Sequence, residues 1–236
     1  MELMQEVNVR TASLMVMIML LGCGGQKPVP PKAESYFPMA AGYEWKYSST
    51  EISYLDSVRA ETTTGVSNSE LRCIGRKSLP DGREAWALYH YDQSNSKSEQ
   101  ARARKDTVMW YTDTFFAAQA DSLVLYWRTR ALDHPNTELV LPLRPGRSWN
   151  VRAGKVYSTR ATVVGQEPVK VPAGDYAQAW RIEDTTTFAD GKTAPSRIVR
   201  WYAAGVGLVR MQTEAHRADG TRWLLIDELV SAKTGK

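Results

Sequence analysis

The sequence predicts an all-β protein: an antiparallel curved sheet or partly open β-barrel with at most one or two short helices. Three observations carry this. From Tyr36 onward apolar and polar residues alternate with period two, as in Tyr43, Trp45 and Tyr47 against Glu44, Lys46 and Ser48, the pattern of strands with one buried face. The alternating segments are short and bounded by turn chemistry at regular spacing. Helical periodicity is scarce.

Taken in order, the strand segments are Tyr43 to Tyr47, Leu71 to Gly75, Ala85 to Tyr91, Thr107 to Tyr111 and Leu123 to Arg130. After the midpoint come Tyr157 to Val164, Val169 to Val171, Ala179 to Thr186, Arg197 to Tyr202, Leu208 to Thr213 and Trp223 to Val230. The expected turns are Pro80-Asp81-Gly82, Gly165-Gln166-Glu167-Pro168, Pro172-Ala173-Gly174, Ala189-Asp190-Gly191 and Ala218-Asp219-Gly220, each rich in residues that favour turn geometry. The best helix candidate is Asp113 to Ala120, where Asp113 or Thr114 offers a cap; an irregular connection is the competing reading.

One internal repeat stands out. Pro38-x-x-x-Gly42-x-x-Trp45 recurs as Pro142-x-x-x-Gly146-x-x-Trp149, each copy opening a strand after a Pro/Gly turn. Either the chain has two related halves, 36–141 and 142–232, or both copies converge on a common turn-to-strand device.

The N-terminus has a different character. Leu14 to Leu21 is an uninterrupted apolar run preceded by Arg10, far too short to span a bilayer and suited to a signal-peptide core. Glu2 and Glu6 depart from the usual positive start, which a start at Val7 would repair. Leu20-Leu21-Gly22-Cys23 resembles the bacterial lipobox, with an aliphatic residue three positions before the cysteine and a small one at the cleavage edge. The resemblance implies peptidase recognition through Leu20, Leu21 and Gly22, cleavage before Cys23, and acylation of that cysteine. Two or more acyl chains, at ~0.8 kcal/mol per buried methylene, anchor a protein stably. Residues 1–22 are then the signal peptide, 23–35 a Pro/Gly-rich tether and 36–232 one β-rich domain. Gly24 does not resemble the Asp that commonly retains lipoproteins in the inner membrane, so the outer membrane is the expected destination, ahead of the inner membrane or cell surface.

Loss of residues 1–22 removes one Arg and two Glu and moves the formal charge from +4 to +5. The charges are interspersed, without the basic patch that nucleic acid needs. Of the two cysteines, only Cys73 is left once Cys23 is acylated, which excludes an intramolecular disulfide. His90, His134 and His216 are isolated from one another and from Cys73, so neither a metal site nor a cofactor site is expected. No Gly-x-Ser-x-Gly elbow, phosphate-binding loop or His-Glu-x-x-His is present. The acidic pairs Glu183-Asp184 and Asp227-Glu228 are strand neighbours whose side chains point to opposite faces, so neither is a carboxylate dyad. No enzymatic activity is expected.

The eight tryptophans fall almost one per strand. Trp45, Trp86, Trp110, Trp180 and Trp201 are candidates for lining a cavity that holds a lipid or another hydrophobic ligand; the alternative is that such rings fill a wide β core.

Three segments carry a family resemblance: Tyr36-Phe37-Pro38-x-x-x-Gly42-x-x-Trp45-x-Tyr47, Val171-Pro172-Ala173-Gly174-x-Tyr176, and Trp201-Tyr202-Ala203-x-Gly205-Val206-Gly207-Leu208-Val209. Together they resemble periplasmic and lipoprotein domains of the TapB-like kind. The resemblance implies a β-rich envelope domain related in shape to the half-barrels of lipoprotein carriers, and it brings no catalytic residue. Gly42, Gly174, Gly205 and Gly207 look like turn positions that need positive backbone angles or close strand approach. The expectation is therefore a non-enzymatic lipoprotein that binds a hydrophobic ligand, or else a scaffold or accessory subunit of an envelope protein complex.

Overall fold

The computed structural model describes residues 36–55, 60–79, 81–94, 108–119, 122–127, 135–193, 195–216 and 221–233, all within the compact unit Pro31–Lys236. The signal peptide, Leu20, Leu21, Gly22, Cys23 and the tether lie outside the described residues, as do His134 and the Ala218-Asp219-Gly220 turn.

Twelve strands form one antiparallel sheet: β1 (Glu44–Leu55), β2 (Ala60–Ser78), β3 (Glu84–Ser94), β4 (Val108–Gln119), β5 (Ser122–Trp127), β6 (Asn136–Val140), β7 (Ser148–Ala153), β8 (Tyr157–Val171), β9 (Gly174–Phe188), β10 (Ser196–Ala203), β11 (Gly207–His216) and β12 (Arg222–Lys233). Their order is β6-β5-β4-β3-β2-β1-β12-β11-β10-β9-β8-β7. The first six strands and the last six are thus two meanders joined where β1 pairs with β12. The all-β, curved-sheet expectation is what the chain adopts, and no helix occurs among the described residues.

Where a helix is expected over Asp113 to Ala120, Asp113 to Gln119 instead belong to β4, paired on one side with β3 and on the other with β5; Ala120 lies outside the described residues. Trp110, Thr112, Thr114, Phe116 and Ala118 alternate with period two, and two ladders outweigh a cap. The turn expected at Gly165–Pro168 lies inside β8, where register shifts at Val163/Gly165 and Glu167/Val169 are bulges, not a reversal. A bulge bends a strand without ending it, and it tolerates a proline that has no N–H to donate. The polar first half of β2 and the short β6 carry too little alternation to be seen in the sequence.

The two copies of the Pro/Gly/Trp repeat end in the same hydrogen bonds. The Gly42 N–H donates to the Cys73 carbonyl at 2.8 Å, and the Gly146 N–H to the Val163 carbonyl at 2.8 Å. Tyr43 N–H returns to Ala40 at 3.1 Å and Arg147 N–H to Arg144 at 3.0 Å. Just beyond each acceptor a bulge follows, exposing Ile74 in β2 and Val164 in β8.

A small second cluster of Leu79, Ala85, Ala87 and Val124 and the buried Val199 and Trp201 lie off the main core face, but most of the core lies on one face of the sheet. Trp45, Tyr47, Leu88, Leu139, Val163, Ile182, Tyr202 and Leu229 are buried there. The β8–β9 hairpin bends back so that the Ala173 N–H reaches the Leu229 carbonyl at 2.9 Å. The two ends of the sheet approach each other, since Trp149 of β7 donates its Nε1–H to the Thr137 carbonyl of β6 at 3.0 Å. No ladder joins β6 to β7, so the sheet is curled but not closed.

Candidate functional site

The curl makes the Trp149 face the inner one. Cross-strand partners in an antiparallel sheet share a face, so the pairings trace this inner surface row by row. One row runs Arg200, Met211, Asp227, Ser49; the next runs Ile198, Thr213, Leu225, Glu51; a third runs Ala215, Trp223, Ser53. Below them the face is apolar and filled by Tyr47, Leu229 and Tyr202. In the rows themselves Ile198, Met211, Leu225 and Trp223 are only half-buried.

A buried ion network lies at the margin between filled core and open face. Arg200, 3% exposed, gives one Nη to Asp184 at 2.8 Å and the other to the Glu138 carboxylate, the Glu138 carbonyl at 3.3 Å and the Tyr202 hydroxyl at 3.2 Å. Tyr202 in turn donates to Glu138 at 2.5 Å. Glu138 is the extra residue of a bulge where the β5–β6 register shifts, and bulges re-aim side chains in this way. Burial pushes the Arg200 pKa down, but Glu138, Tyr202 and Asp184 outweigh it and hold the guanidinium charged. Burial pushes the Asp184 carboxyl above the ordinary range, with Arg200 pulling the other way. Burial and Glu138 likewise keep the Tyr202 phenol protonated.

The network's clearest work is on β6. This edge strand has no ladder on its outer side, and Trp149 and Arg200 take two of its carbonyls, at Thr137 and Glu138. That occupies groups which would otherwise be open to pairing with another chain. A second polar contact crosses the middle of the face, where the Ser49 hydroxyl donates to Asp227. Both acidic pairs divide between the faces. Asp184 and Asp227 point inward, while Glu183 pairs with Arg181 and Arg197 and Glu228 with Arg210 on the outer face. Among the described residues no group of three or more His, Cys, Asp or Glu is arranged to hold a metal.

Of the five tryptophans singled out for ligand lining, the four whose side chains are described, Trp45, Trp86, Trp180 and Trp201, belong to or pack against the hydrophobic core. Trp45 is 1% exposed, donates to the Val206 carbonyl at 2.7 Å and packs against Phe37 and Tyr43; it is core. Trp180 donates to the Tyr36 hydroxyl at 3.1 Å. Trp201, 8% exposed, is also buried; its register with Arg181 and Arg210 sets it on the opposite face from Arg200, where it donates to Glu167 at 2.7 Å and lies under the Arg210 guanidinium. Trp86 is half-buried beneath Arg76, and Trp110 belongs to β4, its side chain outside the described residues. A shallow hollow of about 310 Å³ at the β8–β9 tip, lined by Pro168, Val169, Lys170, Asp175, Tyr176 and Ala177, uses none of them. A further half-buried inner tryptophan is Trp223. Its signal was the alternation Trp223-x-Leu225-x-Asp227-x-Leu229, which places a carboxylate within an apolar strand face.

The chain matches no family profile, and no curated protein resembles it closely in sequence. Three solved structures show a distant likeness. A Bacteroides fragilis protein described as exported, with a YmcC-like fold, shares 14% identity over 84% of this chain and 98% of its own, with a TM-score of 0.39. A Parabacteroides distasonis protein described as a lipoprotein shares 13% over the same shares, with a TM-score of 0.37. A DUF1329 family protein from Desulfovibrio piger shares 13% over 80% of this chain and 85% of its own, with a TM-score of 0.26. Likenesses this distant say nothing of what the chain binds.

Proposed function

We propose that this chain is an exported envelope lipoprotein, anchored through Cys23, whose curled sheet holds a hydrophobic ligand on its inner face without catalysing a reaction. The half-buried Ile198, Met211, Leu225 and Trp223, spread over the three inner rows, carry the reading. These apolar side chains share the inner face with the filled core yet remain partly open, and a concave apolar wall with a few polar groups is what a small-molecule site requires. The polar groups within reach, Arg200, Asp184 and Glu138, are engaged with one another and hold the edge of the sheet. The signal peptide and lipobox support export and anchoring, and Gly24 after the cysteine supports the outer membrane.

Native mass spectrometry of residues 24 to 236, the mature chain without its acylated cysteine, exported behind a conventional signal peptide, tests this. A co-purifying acyl species is the expected result, and a clean protein mass together with no uptake of an uncharged hydrophobic fluorophore would remove the reading. The scaffold alternative draws on the outer face, where Ile52, Leu224 and Ile226 are half-buried side by side on β1 and β12. A clean mass with a co-purifying envelope protein would favour it.

A further inference from the structure

Where β7 to β10 form the inner face, it carries a cation that no described carboxylate pairs. Arg152 is matched by register with Thr159, Thr159 with Thr186 and Thr186 with Ser196, so the four side chains share one row and one face. Thr159 is buried there and Arg152 half-buried. Ser196 stands two residues from Ile198 as Ala215 stands two from Thr213, so this row runs on into that of Ala215 and Trp223. Among the described residues the Arg152 side chain forms no ion pair and no hydrogen bond; its guanidinium lies 5.1 Å over the ring of Tyr157, whose own neighbour is Phe188. The Thr159 and Thr186 hydroxyls hold each other at 2.8 Å, which uses one of their two protons and leaves the other to donate. By register Asp184 is the one inner carboxylate of β7 to β10, and it is spent on Arg200 together with Glu138 from β6. Asp227 and Glu51 stand on β12 and β1, five and six strands along the sheet from β7.

We infer that Arg152 and the Thr159–Thr186 pair seat the head group of an anionic amphiphile, a carboxylate or a phosphate on an alkyl chain. This rests on the proposed binding reading and adds to it the class of ligand. A guanidinium offers such a head group two parallel N–H donors, and the free hydroxyl proton of the threonine pair offers a third. Half-burial strengthens the attraction, since less water screens it. The alkyl chain lies over Ile198 toward Trp223 and Leu225. A cationic head group meets Arg152 and is turned away. A cation pointing inward from an edge strand also discourages pairing with another chain, but that role is indifferent to the charge of a ligand.

The test loads residues 24 to 236 with the uncharged fluorophore 1-N-phenylnaphthylamine at low salt and displaces it below micellar concentrations. The competitors are dodecanoate, dodecyl phosphate, dodecanol and dodecyltrimethylammonium. The better of the two anions should displace the probe at a concentration roughly tenfold or more below that of dodecyltrimethylammonium, with dodecanol between; which anion leads identifies the head group. Arg152→Gln should bring anions and cation toward equality and leave dodecanol unmoved. Arg160→Gln, which removes the same charge from the outer face of β8, should keep the preference. Thr186→Val should weaken the anions alone, and it serves if Arg152→Gln does not fold. Equal displacement by anions and cation, a preference for the cation, or a ratio that a folded Arg152→Gln leaves unmoved or Arg160→Gln abolishes would overturn the inference and leave the binding reading standing. Failure of the wild-type chain to take up the fluorophore would remove both.

Discussion

The indole N–H of Trp45 meets the Val206 carbonyl at 2.7 Å across 161 residues of chain, tying the first strand to the β10–β11 turn. Gly207, the next residue, has φ of 111°. A Cβ there would stand 3.4 Å from the Trp45 Nε1 and 3.6 Å from the Phe37 ring. These are ordinary contact distances, so it is the backbone angle, which residues with a side chain rarely adopt, that calls for glycine here.

Gly207→Val should destabilise the fold by about 1–3 kcal/mol, from the strained backbone angle. Urea unfolding followed by tryptophan fluorescence measures this, and an unchanged midpoint would contradict the turn's role.

Arg200→Ala should cost about 3–5 kcal/mol, since it leaves Asp184 and Glu138 buried without their cation. Asp184→Asn in that background should recover part of the loss, giving a coupling on the order of 1–3 kcal/mol in a double-mutant cycle. Additive losses would mean that the two side chains do not act together.

Asp184 also predicts a sign for pH dependence. Its folded carboxyl lies above the ordinary range, so the native state holds its proton where the unfolded chain has lost it. Stability from this group is therefore present in acid and is lost as pH rises past about 4, the unfolded value, through the folded one. The stability of Asp184→Asn relative to wild type should improve between pH 4 and pH 7 in urea melts; a gap moving the other way would show the carboxylate to be stabilised in its charged form.

Trp223→Ala should weaken fluorophore binding at least about threefold, as loss of a large apolar contact does. Trp201→Phe, on the outer face, should leave it unaltered. The reverse pattern, read by fluorescence titration, would move the ligand to the other side of the sheet.

Cys23→Ala should abolish incorporation of labelled palmitate and leave the β domain folded, judged by circular dichroism of the recovered chain. Membrane retention after complete signal removal would rule out anchoring through that cysteine.

Much of the fold is legible in the sequence because a strand's two faces are written locally. The alternation around Trp45, Ala161, Ile182 and Leu225 and the glycines at 42, 174, 205 and 207, all with positive φ, needed only near neighbours to be read. The opposite facing of Glu183 and Asp184 followed from the same period of two. Short-range cues misled where two ladders overrode them, as at Asp113 to Ala120, and where a Gly-to-Pro stretch became bulges inside β8.

By itself the sequence determined the β class, the turns at Asp81-Gly82, Pro172-Ala173-Gly174 and Ala189-Asp190-Gly191 and the lipobox resemblance at Cys23, all properties of contiguous residues. Only the tertiary structure decided that Trp45 is core, that Trp201 faces outward, and that Glu138, Asp184, Arg200 and Tyr202 meet. Contacts across 62 and 64 residues depend on how far the sheet curls and on the bulge that turns Glu138 inward. Curvature is a sum over twelve strands, and no single segment encodes it.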